Sequence, residues 1–142
     1  MSYCTEAQLI DRFGEATLIR LTDRGDPPAG TIDAAVVDRA VADTDALIDG
    51  YLKGRYALPL SETPALLTDL ALVIAIYKLH VHVAEDKIRR DYEDAMRTLR
   101  EIAAGTVRLD VAGAEPAASG TSGVRTNAAA RPLSAATMKG FV

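Results

Sequence analysis

Apolar residues crowd into one stretch, Thr63–Val83, TPALLTDLALVIAIYKLHVHV. Thr63 is placed to cap a helix, and Pro64 suits a first helical position, where its missing N–H costs nothing. Leu66, Leu67, Leu70, Ala71, Val73, Ile74, Ile76, Tyr77 and Leu79 follow with few interruptions. Only Thr68, Asp69 and Lys78 dilute the run, so the helix is apolar around most of its circumference. Such a helix is either wrapped by other elements or lies in a membrane.

Other segments supply matching faces. Thr5-Glu6-Ala7-Gln8 spells a capping box, and the helix it opens carries Leu9, Ile10 and Phe13 before Gly14 stops it. Glu15–Thr22, with Leu18, Ile19 and Leu21, makes a second short helix. Asp23–Gly30 is a loop rich in Gly and Pro. From Asp33 to Lys53, Val36, Val37, Ala40, Val41, Leu47, Ile48, Tyr51 and Leu52 recur at spacings of three and four. Asp45 and Asp49 fall on the polar side of that helix, where they read as a solvated acidic face. Gly54-Arg55-Tyr56-Ala57-Leu58-Pro59-Leu60 turns the corner, Pro59 holding Leu58 extended. Arg55 is placed to pair with an acid of a neighbouring helix or subunit.

Glu85–Ala104 is the most strongly amphipathic segment, with Ile88, Tyr92, Ala95, Met96, Leu99, Ile102 and Ala103 in one stripe. Glu93 and Arg97 have the spacing of a favourable ion pair on its outer face. Gly105 ends it. Thr106–Val111 then alternates apolar and polar, which predicts one short strand with Val107, Leu109 and Val111 on the same side. A lone strand needs a partner for its backbone groups. None is evident in this chain, so the partner is sought in another subunit. Ala112–Val142 offers Gly, Ala, Ser, Thr and Pro with few large apolar side chains, too little burial to offset ordering entropy. The pattern therefore predicts a mainly α fold. A small helical bundle surrounds Thr63–Val83 over residues 1–111, followed by a flexible arm over 112–142.

The 142 residues suit one domain, and 49% hydrophobic against 25% charged residues is ordinary for a globular protein. The net charge of −4 argues against a grip on DNA phosphates. Arg125, Arg131 and Lys139 against Glu115 give the arm +2, which leaves −6 on the first 111 residues. Body and arm thus meet different surfaces. Asp69, Lys78, His80 and His82 interrupt any membrane-spanning window, and the amino terminus has no signal-peptide pattern. Cys4 is the single cysteine and reads as a small hydrophobe beside Tyr3. His80 and His82, two apart, do not share a helix face, and His82 with Asp86 makes only two ligands. No metal, cofactor or catalytic cluster is expected. A small helical DNA-binding regulator is the competing reading, but its short helices and acidic surface lack a basic recognition face.

Four stretches together resemble a known family: YCTEAQLIDRFG at the start, IDGYLKGRYALPL (Ile48–Leu60), the central helix, and DYEDAMRTLREIAAGTVRL (Asp91–Leu109). They are similar to the small connector proteins of Mu-like phages and prophages. Those are related to the head–tail connector (adaptor) proteins of long-tailed phages and gene-transfer particles. RYALPL and IAAGTVRL are the most specific pieces, and the likeness covers Met1–Val111, with a variable tail after it. It implies a non-enzymatic virion protein of the neck, assembled in the host cytoplasm as a ring of twelve subunits below the portal. The ring would bridge portal to neck and tail-completion proteins, and DNA would pass through it without sequence-specific binding. An acidic wall suits sliding DNA better than a basic grip. On this reading Val107, Leu109 and Val111 pair between subunits by strand addition. Arg125, Arg131, Met138, Lys139, Phe141 and Val142 dock the arm on the portal.

Overall fold

The computed structural model describes residues 1–111, which form five helices. These are α1 (Glu6–Phe13), α2 (Glu15–Thr22), α3 (Ala34–Leu52), α4 (Ala65–Leu79) and α5 (Asp86–Ala104). Helices α3, α4 and α5 pack on one another, and the α1–α2 pair lies against α3 and α4. The expected bundle is present, and α4 is its axis. Every residue from Leu70 to Ile76 is buried, as are Leu67 and Leu79, so no side of this helix's middle faces water.

The apolar run extends beyond the helix at both ends. Pro64 is the N-cap, not the first helical residue, and its carbonyl accepts the Leu67 and Thr68 N–H groups at 3.0 and 3.2 Å. His80 turns extended and closes the helix, leaving Val81, His82 and Val83 in a loop. Among the described residues no helix is long and apolar enough to cross a membrane.

Local chemistry explains where the other helices begin and end. The Thr5–Gln8 capping box is formed in both directions, by hydrogen bonds of 2.9 and 3.3 Å. Asp33 caps α3 by accepting from the Ala35 and Val36 N–H groups at 3.0 and 3.4 Å. Val37, Ala40, Thr44, Ile48 and Leu52 then turn to the core at helical spacing. On α5 the buried stripe is Ala95, Met96, Leu99 and Ile102, while the Tyr92 ring stacks on Tyr77 of α4 with centroids 3.9 Å apart. Arg97 pairs with Asp94 at 3.1 Å, one turn back on the other side from the expected Glu93.

The expected strand at Thr106–Val111 is not formed, and no strand occurs among the described residues. The alternation itself is real: Leu109 and Val111 are buried and Val107 half-buried, with Thr106, Arg108 and Asp110 exposed. Its inward side lies on the helical core, so a period of two reports one buried edge without requiring a sheet. The backbone is also occupied within the chain. Thr106 and Val107 donate to the Glu101 carbonyl at 2.9 and 3.2 Å, closing the end of α5, and Leu109 donates to the Tyr56 hydroxyl.

Candidate functional site

The two most distinctive stretches of the sequence meet at this corner. The turn after α3 delivers Arg55 and Tyr56, and the end of α5 delivers Gly105 to Leu109. Tyr56 is 3% exposed, and its hydroxyl accepts the Leu109 N–H at 3.0 Å. Gly105 takes a left-handed conformation, φ +83°, which lets its N–H reach back to the Glu101 and Ile102 carbonyls. A Cβ at Gly105 would fall inside the Arg55 guanidinium, so the absence of a side chain there makes room for that cation. Arg55 thus lies at the carbonyl end of α5, where the helix dipole favours positive charge. RYALPL and GTVRL form a strap that fixes the chain's course up to Val111. Val107, Leu109 and Val111 serve the chain's own core in this arrangement.

A second strap holds the amino terminus. Asp45 accepts the Tyr3 N–H at 2.9 Å, and Asp49 accepts the Tyr3 hydroxyl proton. Both carboxylates are half-buried. The pair expected to be a solvated acidic face is therefore an anchor. Cys4 is buried beside it, and burial, reinforced by the Asp45 charge, pushes its thiol up to about 12. Such a thiol is a poor nucleophile at neutral pH, in keeping with a packing role. Burial first, then the Asp49 hydrogen bond and the two carboxylate charges, raise the Tyr3 hydroxyl likewise.

The far end of the bundle carries a different chemistry. Arg24 donates to the Leu79 carbonyl at 3.1 Å and to Leu21 at 3.3 Å, and the His80 ring sits 2.8 Å from the Ile76 carbonyl. These groups terminate α4. The loop that follows exposes Val81 and Val83, 62% and 96% accessible. Among the described residues no group of three or more His, Cys, Asp or Glu side chains is placed to hold a metal ion. The portal-docking residues expected from sequence, Arg125, Arg131, Met138, Lys139, Phe141 and Val142, lie outside the described residues.

Sequence reasoning found each helix but none of these tertiary contacts. The Tyr3 anchor had one legible signal, the one-turn spacing of Asp45 and Asp49. The Tyr56–Leu109 bond had a weaker one, an unpartnered alternating segment in need of an acceptor or donor.

Fold and straps together define a small helical body whose polar side chains hold its own two ends in fixed places. The chain belongs to the family described as Bacteriophage Mu, Gp36, whose model matches residues 3–128. It is 36% identical over 140 residues to the Mu-like prophage FluMu protein gp36 of Haemophilus influenzae, covering 99% of this chain and 98% of that protein. It is also 36% identical over 105 residues to gene product J of Escherichia phage Mu, covering 74% of each. The likeness to a Mu-like family is thus confirmed. It runs past Val111, where the sequence reading ended it.

Proposed function

We propose that the chain is a structural virion protein, a head–tail connector that sits below the portal and bridges it to the neck and tail. The observation that carries this reading is the near end-to-end similarity to a protein of a Mu-like prophage. It is supported by the build of the body, in which RYALPL and GTVRL lock to each other at the end of the described chain. A connector needs a firm body to assemble in a ring, and on this reading residues 112–142 engage the portal. The net charge of −6 on the body suits a channel wall that DNA slides past. We assign the protein no catalytic step, and its partners are the portal, a tail-side neck protein and further copies of itself.

The test is an induced lysogen in which this chain carries an epitope tag. Labelled particles should show the tag at the head–tail junction, and removing the gene should leave filled heads and separate tails. A variant lacking Arg125–Val142 should stay folded, because the described core lies within residues 1–111, and should no longer co-purify with portal. Tagged protein absent from particles, or normal tailed particles without the gene, overturns the connector reading. Unimpaired co-purification of the truncated chain overturns the portal role of the arm.

A further inference from the structure

The loop that closes α4 interrupts an acidic body with a cationic, partly apolar knob. Two clefts flank His80–Ala84, the larger of about 480 Å³. Their lining includes Arg20 and Arg24 from the α2 side, and Lys78 and Arg89 from α4 and α5. No carboxylate lines either cleft. Of the acids nearby, Asp86 binds Arg89 at 3.3 Å, Asp23 accepts from the Ala29 and Gly30 N–H groups, Asp43 shares an adjoining cleft with Arg24, Arg39 and Lys78, and Glu85 follows the loop. Between the clefts stand Val81 and Val83, two of the few large apolar side chains exposed on the body. An apolar centre inside a charged rim is the anatomy of a protein interface. A phosphate-binding surface would instead pair its cations with free stacking aromatics or helix amino termini. The one tyrosine of this lining, Tyr77, is already stacked on Tyr92, and the amino-terminal turn of α5 beside Arg89 opens with the acids Glu85 and Asp86.

The occupant follows from charge. The described body carries −6 in total; this end gathers four cations and the Asp86 paired with Arg89, a balance of +3, so the rest of its surface carries −9. We infer that the knob docks on the acidic flank of a second copy of this chain. Two such knobs cannot face each other across a two-fold axis, because Arg20 and Lys78 would meet like charges. The contact is therefore head-to-tail, between two different surfaces, and repetition of such a contact gives a closed ring or an open filament. This route to a ring uses Val81, Val83 and their cations; it needs neither a strand nor residues beyond Val111. It deepens the connector reading by naming the subunit contact, and it stands or falls on self-association alone.

Sedimentation of the full-length chain tests it. The wild-type protein should show species above its 15.1 kDa monomer at low salt. These should weaken in ~1 M salt, where the screening length falls to about 3 Å. Val83→Asp and Arg20→Glu, both at exposed positions, should each raise the self-dissociation constant about tenfold or more, with circular dichroism and melting unchanged. Adding Val83→Asp protein to wild type should shorten the assemblies, since a chain with a spoiled knob still offers its acidic flank. A chain monomeric at its highest soluble concentration overturns the inference. So does association indifferent to both substitutions. Salt-dependent binding of a short DNA duplex, lost in both variants while the chain stays monomeric, would reassign the knob to phosphate contact. The tagged-particle experiment reads the connector role separately, so a neck protein that fails here fails only in this contact.

Discussion

Replacing Tyr56 by Phe removes one oxygen from the strap that fixes the end of the described chain. The hydroxyl accepts the Leu109 N–H at 3.0 Å in a buried setting, with Tyr56 3% and Leu109 7% exposed. The ring of Phe fills nearly the same space, so the loss is electrostatic, an N–H left without an acceptor away from water. That costs about 1–3 kcal/mol. The segment should not detach, because burial of Leu109 and Val111 contributes roughly 1.5–3 kcal/mol apiece. For a body of about 110 residues the penalty lowers the melting temperature by roughly 4–12 °C. Hydrogen exchange gives the sharper readout. The Leu109 amide should exchange about 5- to 150-fold faster, the equivalent of the same 1–3 kcal/mol. Amides in the middle of α4, which exchange only by global unfolding, should accelerate by no more than the same factor. Gly105→Ala should be costlier, since a left-handed alanine alone loses about 1–2 kcal/mol and its methyl group also displaces Arg55. Tyr56→Phe with an unchanged melting temperature and an unchanged Leu109 exchange rate would refute the strap.

The amino-terminal anchor makes the fold sensitive to base. Cys4 ionises near 9.0 when free and near 12 in place, and Tyr3 is raised in the same direction, so their contribution is complete below pH 9 and is lost as pH rises from 9 toward 12. Urea midpoints should fall over that window with a slope of up to ~1.4 kcal/mol per pH unit for each group. Cys4→Ala should flatten the stretch between pH 9 and 10, and an equal slope in both proteins contradicts the assignment. A disulfide reagent at pH 8 should leave native Cys4 unmodified and react once the chain is unfolded in urea; rapid labelling of the native state speaks against burial. Ile74→Ala, at a fully buried position of α4, should cost about 2–5 kcal/mol in urea unfolding, against less than 1 for an exposed helix position. Thr22→Val should cost about 1–3 kcal/mol, because the Thr22 hydroxyl accepts the Asp33 N–H at 3.0 Å at the start of α3.

The helices were legible because their signals are local. A capping box, an Asp at the head of α3, and apolar residues every three or four positions act within one or two turns, and all three survive in the fold. The all-round burial of α4 was legible for the same reason, since nine of its residues could only be covered from several directions. What escaped was everything set by pairs distant in sequence. Tyr3 reaches Asp45 and Asp49 across more than forty residues, and Tyr56 reaches Leu109 across more than fifty. Alternation at Thr106–Val111 predicts a strand because period two is ordinarily a sheet signal. A six-residue segment pressed on helices meets the same requirement of one wet and one dry side. The cationic knob escaped because its residues come from α2, the loop after it, α4 and α5, and only the fold brings them together.

The strap changes what the distinctive stretches of this chain mean. RYALPL and IAAGTVRL are the stretches on which the sequence-based resemblance leans most. A natural reading places them on the surface that partners touch. They are instead turned toward each other, Tyr56 onto Leu109 and Arg55 over Gly105, with Leu109 and Val111 closed into the core. Their effect on assembly is then indirect: they set where the chain stands when it passes Val111. A substitution at Tyr56 or Gly105 should depress stability before it depresses binding, and lowering the temperature should restore both together. A substitution at Val83 or Arg20 should do the reverse, leaving a stable body that no longer assembles. The two kinds of variant separate the residues that build the body from those that join it to its neighbours.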